Sequence, residues 1–133
     1  MKKKNFIATH TFHSSSAKKE FFTFVKDRKK NSDWWGNETE EVKEKFFKIL
    51  HKRSLIDEQN SNEKRTEDYA LMLQIFVGKG DFFFCHWQSI DEQTIIDRLS
   101  VAGMDQFIVT MATPVDFPKM NLDYLSPMIS KLK

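Results

Sequence analysis

The chain has 133 residues, 21 basic and 19 acidic for a formal net charge of +2, and 40% of it is hydrophobic, with thirteen phenylalanines. That length and apolar content suit a single domain, residues 1–133, and the near-balanced charge, spread along the chain, leaves no basic block to hold nucleic acid. No apolar run approaches the roughly 20 residues that span a membrane, and a lone cysteine, Cys85, excludes an intramolecular disulfide.

Met1 to Lys4 resembles the charged start of a signal peptide, but the apolar run that should follow is broken at Thr9, His10 and Thr11, so a cytoplasmic protein is expected. Phe6 to His13 alternates as a first strand, with Phe6, Ala8, His10 and Phe12 on one side and Ile7, Thr9, Thr11 and His13 on the other. Ser14 to Ser16 offer N-cap hydroxyls to a first helix, which carries Phe21, Phe24 and Val25 at helical spacing and should end near Lys30. A turn-rich joint with Trp34 and Trp35 follows. Asn37 and Glu40 make a capping pair for a second helix, about 38–53, with Val42, Phe46, Ile49 and Leu50 on one side. Asp57 to Asp68 reads as a polar surface loop.

Two runs rich in β-branched and aromatic residues flank Gly78-Lys79-Gly80 and predict a β-hairpin. Ser89 to Glu92 forms a capping box for a third helix, with Ile95, Ile96 and Leu99 inward and Gly103 at its C′ position. Gln106 to Thr113 makes a fourth strand, and Ser126-Pro127 would open a short C-terminal helix. Setting the second helix aside, the order β, α, β, β, α, β is that of a ferredoxin-like α+β fold, an antiparallel sheet with helices on one face. Residues 37–68 are then a helical insertion and loop, and 114–133 a C-terminal extension. A bare apolar sheet face is normally hidden by a partner, so a homodimer is expected.

Cys85 and His86 are adjacent in the second hairpin strand and so face opposite sides, which prevents them from sharing a metal or acting as nucleophile and base. A two-residue turn at Lys79-Gly80 would set Ile75 opposite Phe84 and Leu73 opposite His86, placing Leu73, Ile75, Val77, Phe82, Phe84 and His86 on the helix-covered face. The alternative three-residue loop would pair Val77 with Asp81 and bring its charge among core residues. The first register puts Phe83, Cys85, Trp87, Met72 and Gln74 on the bare face beside Thr9, Thr11 and His13. Thr9, Thr11, Gln74, Cys85 and Trp87 are then candidate ligand-binding residues on an aromatic floor. His10 and His86 would share the covered side, where two imidazoles could begin a metal site but need a third ligand. The simpler reading is of core histidines, and of Cys85 as a small hydrophobe.

The segments ATHTFHSSSAKKEFF and FFFCHWQSIDEQTIIDRL resemble, in pattern from about Phe6 to Thr113, the two halves of the small ferredoxin-like proteins that pair into dimeric α+β barrels. That group includes cofactor-independent monooxygenases, haem-degrading enzymes, small nickel-binding proteins and many members of no known activity. The Trp34-Trp35 joint and the inserted helix depart from the minimal form, and no family catalytic residue maps onto this chain. For the nickel-binding type, His10, His13 and His86 are the residues that could correspond.

Three functions are therefore weighed. The first is a homodimeric ligand-binding or structural module with a small-molecule pocket on the bare face, binding an apolar or aromatic compound without a cofactor. The second is a cofactor-independent monooxygenase-like enzyme with His13 as its base. The third is a metal-binding protein using His10 and His86 with His13, and whether the chain is an enzyme stays open.

Overall fold

The structure is a computed structural model and describes residues 2–29, 39–57 and 65–116. The elements are β1 (Lys4–Phe12), α1 (Ser15–Lys29), α2 (Glu40–Lys52), β2 (Ala70–Val77), β3 (Phe82–Ser89), α3 (Glu92–Val101) and β4 (Ile108–Pro114). Short 3-10 turns stand at Thr66–Asp68 and Met104–Gln106. The strands form one open antiparallel sheet in the order β2-β3-β1-β4, an α+β architecture with β3 and β1 at the centre. The expected caps at Asn37 and Ser126-Pro127, and the Trp34-Trp35 joint, lie outside the described residues.

Local chemistry accounts for the helix starts. Ser14 Oγ accepts the Ala17 N–H at 3.0 Å to open α1. α2 is capped by Thr39, whose Oγ1 accepts the Val42 N–H at 3.3 Å, and its ends carry Glu40 and Glu41 first, His51 and Lys52 last, the order the helix dipole favours. The N-cap of α3 is Asp91, not Ser89. The Asp91 carboxylate accepts the Thr94 N–H at 2.8 Å and the Thr94 hydroxyl at 2.6 Å, whereas Ser89 is the buried last residue of β3 and donates to the Asp91 carbonyl at 2.8 Å. Ile95 and Leu99 are buried as expected but Ile96 is exposed, and Gly103 takes the left-handed conformation, φ 85°, just beyond the helix.

The main core lies between the sheet and two helices. Phe6 and Ala8 of β1 with Phe83, Cys85 and Trp87 of β3 meet Phe21 of α1 and Ile95 and Leu99 of α3. Burial of each large aromatic there contributes about 2 to 3 kcal/mol. A second cluster, Phe46, Phe47, Leu50 and Ile56, packs α2 against Val101 of α3 and Tyr69. Arg53, at the end of α2, bonds Asp91 at 2.5 Å, Thr94 at 2.9 Å and Asp97 at 3.2 Å, which ties α2 to the first turns of α3.

The hairpin register differs from the expected one. Ile75 lies opposite Cys85, Phe76 opposite Phe84 and Val77 opposite Phe83, so residues 78–82 separate the paired strands where a two-residue turn was expected. The pairing also slips between Met72 and Gln74, leaving Leu73 as the extra residue of a bulge, with Met72 opposite Trp87. A one-residue change of register moves a strand's whole side-chain set to the other face. Phe83, Cys85 and Trp87 are consequently in the core, and Phe82, Phe84 and His86 are on the bare face, the reverse of the expected assignment.

Candidate functional site

Directly paired residues of an antiparallel sheet share a face, and on the bare side they form rows. One row runs Met111, Thr9, Phe84, Phe76 across all four strands, and the next runs Thr113, Ile7, His86, Gln74. Val109, Thr11 and Phe82 make a third. Met111 is 68% exposed, Phe76 47% and Phe84 38%, and no described helix packs over them. No Asp, Glu, Lys or Arg occurs in these rows, so the face is apolar with neutral hydrogen-bonding groups, the composition of a surface made for contact.

At the hairpin end a hollow of about 510 Å³ is lined by Phe76, Phe82 and Phe84 of this face and by Ile75 and Val77, which alternate to the other side, with Gly78 and Gly80 at the tip. Phe82 and Phe84 meet edge to face with ring centroids 5.3 Å apart. Their rings present both a face and an edge to a guest, which suits a flat apolar ligand. A hollow of similar volume, between Lys4, Phe6 and the first turn of α3, is lined partly by Asp91, whose carboxylate already serves Thr94 and Arg53. Burial alone would raise the Asp91 carboxyl, but bonds from Thr94 and Arg53 outweigh it and hold the group below its ordinary range.

No family model, curated protein or solved structure matches this chain. The site is therefore read from its geometry. Thr9, Thr11 and Gln74 lie on the bare face, where they were expected. Cys85 and Trp87, expected beside them, are fully buried on the helix side. Burial pushes the Cys85 thiol up to about 12, partly offset by a hydrogen bond with Trp87, and an uncharged thiol of that kind is neither nucleophile nor metal ligand.

The histidines separate as well. His10 is fully buried on the helix side, where Nδ1 meets Thr110 Oγ1 at 2.7 Å and the ring packs 4.6 Å from Phe83. Its Nε2 finds no hydrogen-bond partner among the described residues. Desolvation lowers its pKa to about 4, so at neutral pH it is an uncharged core residue. His86, expected on the same side as His10, is on the opposite face, where Nε2 donates to Asn5 Oδ1 at 3.0 Å. The two cannot hold one ion, and no group of three or more His, Cys, Asp or Glu is arranged to bind a metal among the described residues.

His13 lies just past the end of β1. Its backbone N–H donates to the Phe107 carbonyl at 3.0 Å and its Nε2–H to the Asp105 carbonyl at 3.0 Å, so the ring is turned toward the loop before β4 and away from the rows that hold Thr9 and Gln74. Nε2 therefore carries the ring proton, which leaves the lone pair on Nδ1.

Sequence reasoning missed Phe76, Phe84, His86 and Met111 as members of the bare face. A signal was present in β3 itself: the set Phe82, Phe84, His86, Gln88 is more polar than Phe83, Cys85, Trp87, Ser89, and the more polar set faces out. It also missed buried Arg98, which donates to the Ala70 carbonyl and lies over the Trp87 ring at 5.9 Å, a structural clamp between α3 and β2.

Proposed function

We propose that the protein is a ligand-binding module of ferredoxin-like form, in which the bare face pairs with the same face of a second copy and closes the hairpin hollow over a small apolar or aromatic compound. The element order with α2 set aside, and the sheet order β2-β3-β1-β4, support the fold assignment. The observation that carries the functional reading is the uncharged cross-strand rows. A two-fold interface brings a patch against itself, so any charge on it meets its like; a face without charge is compatible with itself. The hollow of about 510 Å³ falls within the range, about 300 to 1,000 Å³, in which proteins hold small molecules.

Size exclusion with light scattering, followed by native mass spectrometry of protein purified without added ligand, tests this. The wild type at about 100 µM should be a dimer, and a retained discrete mass would identify the guest. Replacing two exposed side chains, Phe84→Glu with Met111→Glu, sets like charges against one another and should weaken pairing at least about 100-fold while thermal unfolding of the monomer changes little. A monomeric wild type, or a double variant that still dimerises as well, would overturn the reading.

A further inference from the structure

β2 is an edge strand, and its outer half is open to water on both sides. Ile75 and Val77 belong to the helix side, opposite Cys85 and Phe83, and Gln74 and Phe76 to the bare side, opposite His86 and Phe84, while Leu73 is the bulged residue. Leu73, Ile75, Phe76 and Val77 are nonetheless all between 39% and 54% exposed, so apolar side chains stand in water above and below one strand. Residues 73–77 make no hydrogen bond to a described residue outside the ladder to β3, which leaves the outward backbone groups of this run unused. Sheet edges are ordinarily blunted by charge, proline, a bulge or a covering element. The run Leu73-Gln74-Ile75-Phe76-Val77 contains no charged residue and no proline, and the bulge marks only its inner end. The other edge differs: on β4 the exposed large apolar residues, Val109 and Met111, are confined to the bare side, Thr110 is on the helix side, and the strand closes on Pro114.

We propose that residues 73–77 are a strand-addition site whose occupant is the same run of a second copy, antiparallel about a two-fold axis through Ile75, so that two four-stranded sheets continue as one. Ile75 is the middle of the run, and a two-fold there pairs the run with itself along its whole length: Ile75 with Ile75, Gln74 with Phe76, Leu73 with Val77. Directly opposite residues share a face, so the helix-side Ile75 meets its own copy and the bare-side Gln74 meets the bare-side Phe76. A run without charge brings no charge against its like. The antiparallel sense also turns Lys79, just past the run, toward Glu67 and Asp68, which precede β2 in the other copy, while Asp81 lies 3.9 Å from Lys18 of its own chain. The axis stands perpendicular to the sheet and keeps both bare faces on one side. This contact is therefore separate from the face pairing proposed above, compatible with it and independent of it.

Oxidative cross-linking reads the contact, because directly opposite residues of an antiparallel pair lie about 4.5 to 5.5 Å apart at Cα, within the span of a disulfide. Ile75→Cys is placed in a chain that carries Cys85→Ala, since Cys85 lies opposite Ile75 on β3 and would capture the new thiol within one chain, together with Phe84→Glu and Met111→Glu, which oppose face pairing. With folding checked by circular dichroism, this chain should form covalent dimers at least about tenfold faster than Ile96→Cys, an exposed control on α3, in the same background. In the chain carrying Phe84→Glu and Met111→Glu alone, the amides of residues 73–77 should exchange hydrogen more slowly at about 1 mM than at about 10 µM, because edge pairing protects them. Linking no faster than at position 96, or exchange indifferent to concentration, overturns the edge contact and leaves the face pairing, tested by dimerisation of the wild type, untouched. An Ile75→Cys thiol that neither links nor reacts with a small reagent shows the edge covered by another part of the chain, and overturns it as well.

Discussion

Replacing His10 should remove much of the protein's sensitivity to acid. The imidazole is fully buried beside Phe83 with one hydrogen bond to Thr110, and desolvation lowers its pKa from 6.5 to about 4. A folded-state pKa below the unfolded one means that unfolding takes up a proton as pH falls. Stability is therefore complete above the unfolded value of about 6.5, declines between that value and about 4, and is fully diminished below. A separation of about two and a half units at about 1.4 kcal/mol each gives about 3 kcal/mol in the limit, of which about 2.5 kcal/mol is expressed between pH 7.5 and pH 4.5. Against a typical total of about 5 to 15 kcal/mol this is a large share. Urea unfolding followed by tryptophan fluorescence at the two pH values gives the loss for the wild type and for His10→Gln. Other titrating groups act in both proteins, so the difference between the two losses isolates His10 and should be about 2 kcal/mol or more. Equal losses, within about 0.5 kcal/mol, would show that the ring is not held neutral by burial.

Two more outcomes follow from the core and the helix anchor. Cys85, its pKa near 12, should react with a disulfide reagent at pH 8 about a thousandfold more slowly than a free thiol and at an ordinary rate once urea unfolds the chain; rapid labelling of the native protein would contradict its burial. Asp91→Ala removes the α3 cap and the partner of Arg53 and should cost about 2 kcal/mol in calorimetry, whereas Asp91→Asn keeps the cap and should cost about half as much; equal losses would assign the whole effect to one of the two roles.

The sequence made the helices and their order legible because their signals are local: Ser14 at the start of α1, the charge order of α2, Gly103 after α3. The strand order of the sheet follows from that sequence of elements as well. The face assignment of the hairpin was not legible in the same way, because it depends on a loop of five residues and a bulge at Leu73, and neither leaves a mark on the alternation of a segment in which Phe82, Phe83 and Phe84 make both faces apolar. The error was carried into the site: Thr9, Thr11 and Gln74, fixed by β1 and by the outer part of β2, stay on the bare face, while Cys85, Trp87 and His86 change sides. His13 was displaced for a different reason. Alternation extends β1 one residue too far, and the chain turns at that point to bond Phe107 and Asp105.

The separate core of α2 bears on how the molecule comes apart. Phe46, Phe47, Leu50 and Ile56 bury one another and meet the rest through Val101 and Tyr69, with Arg53 as the polar tether, whereas no residue of α2 enters the cluster that joins the sheet to α1 and α3. Among the described residues the two clusters share so little that α2 should open as a unit of its own before the sheet does. Its amide protons would exchange through that partial opening while those of β1 and β3 wait for complete unfolding, and the sheet would persist in molecules whose second helix is already loose.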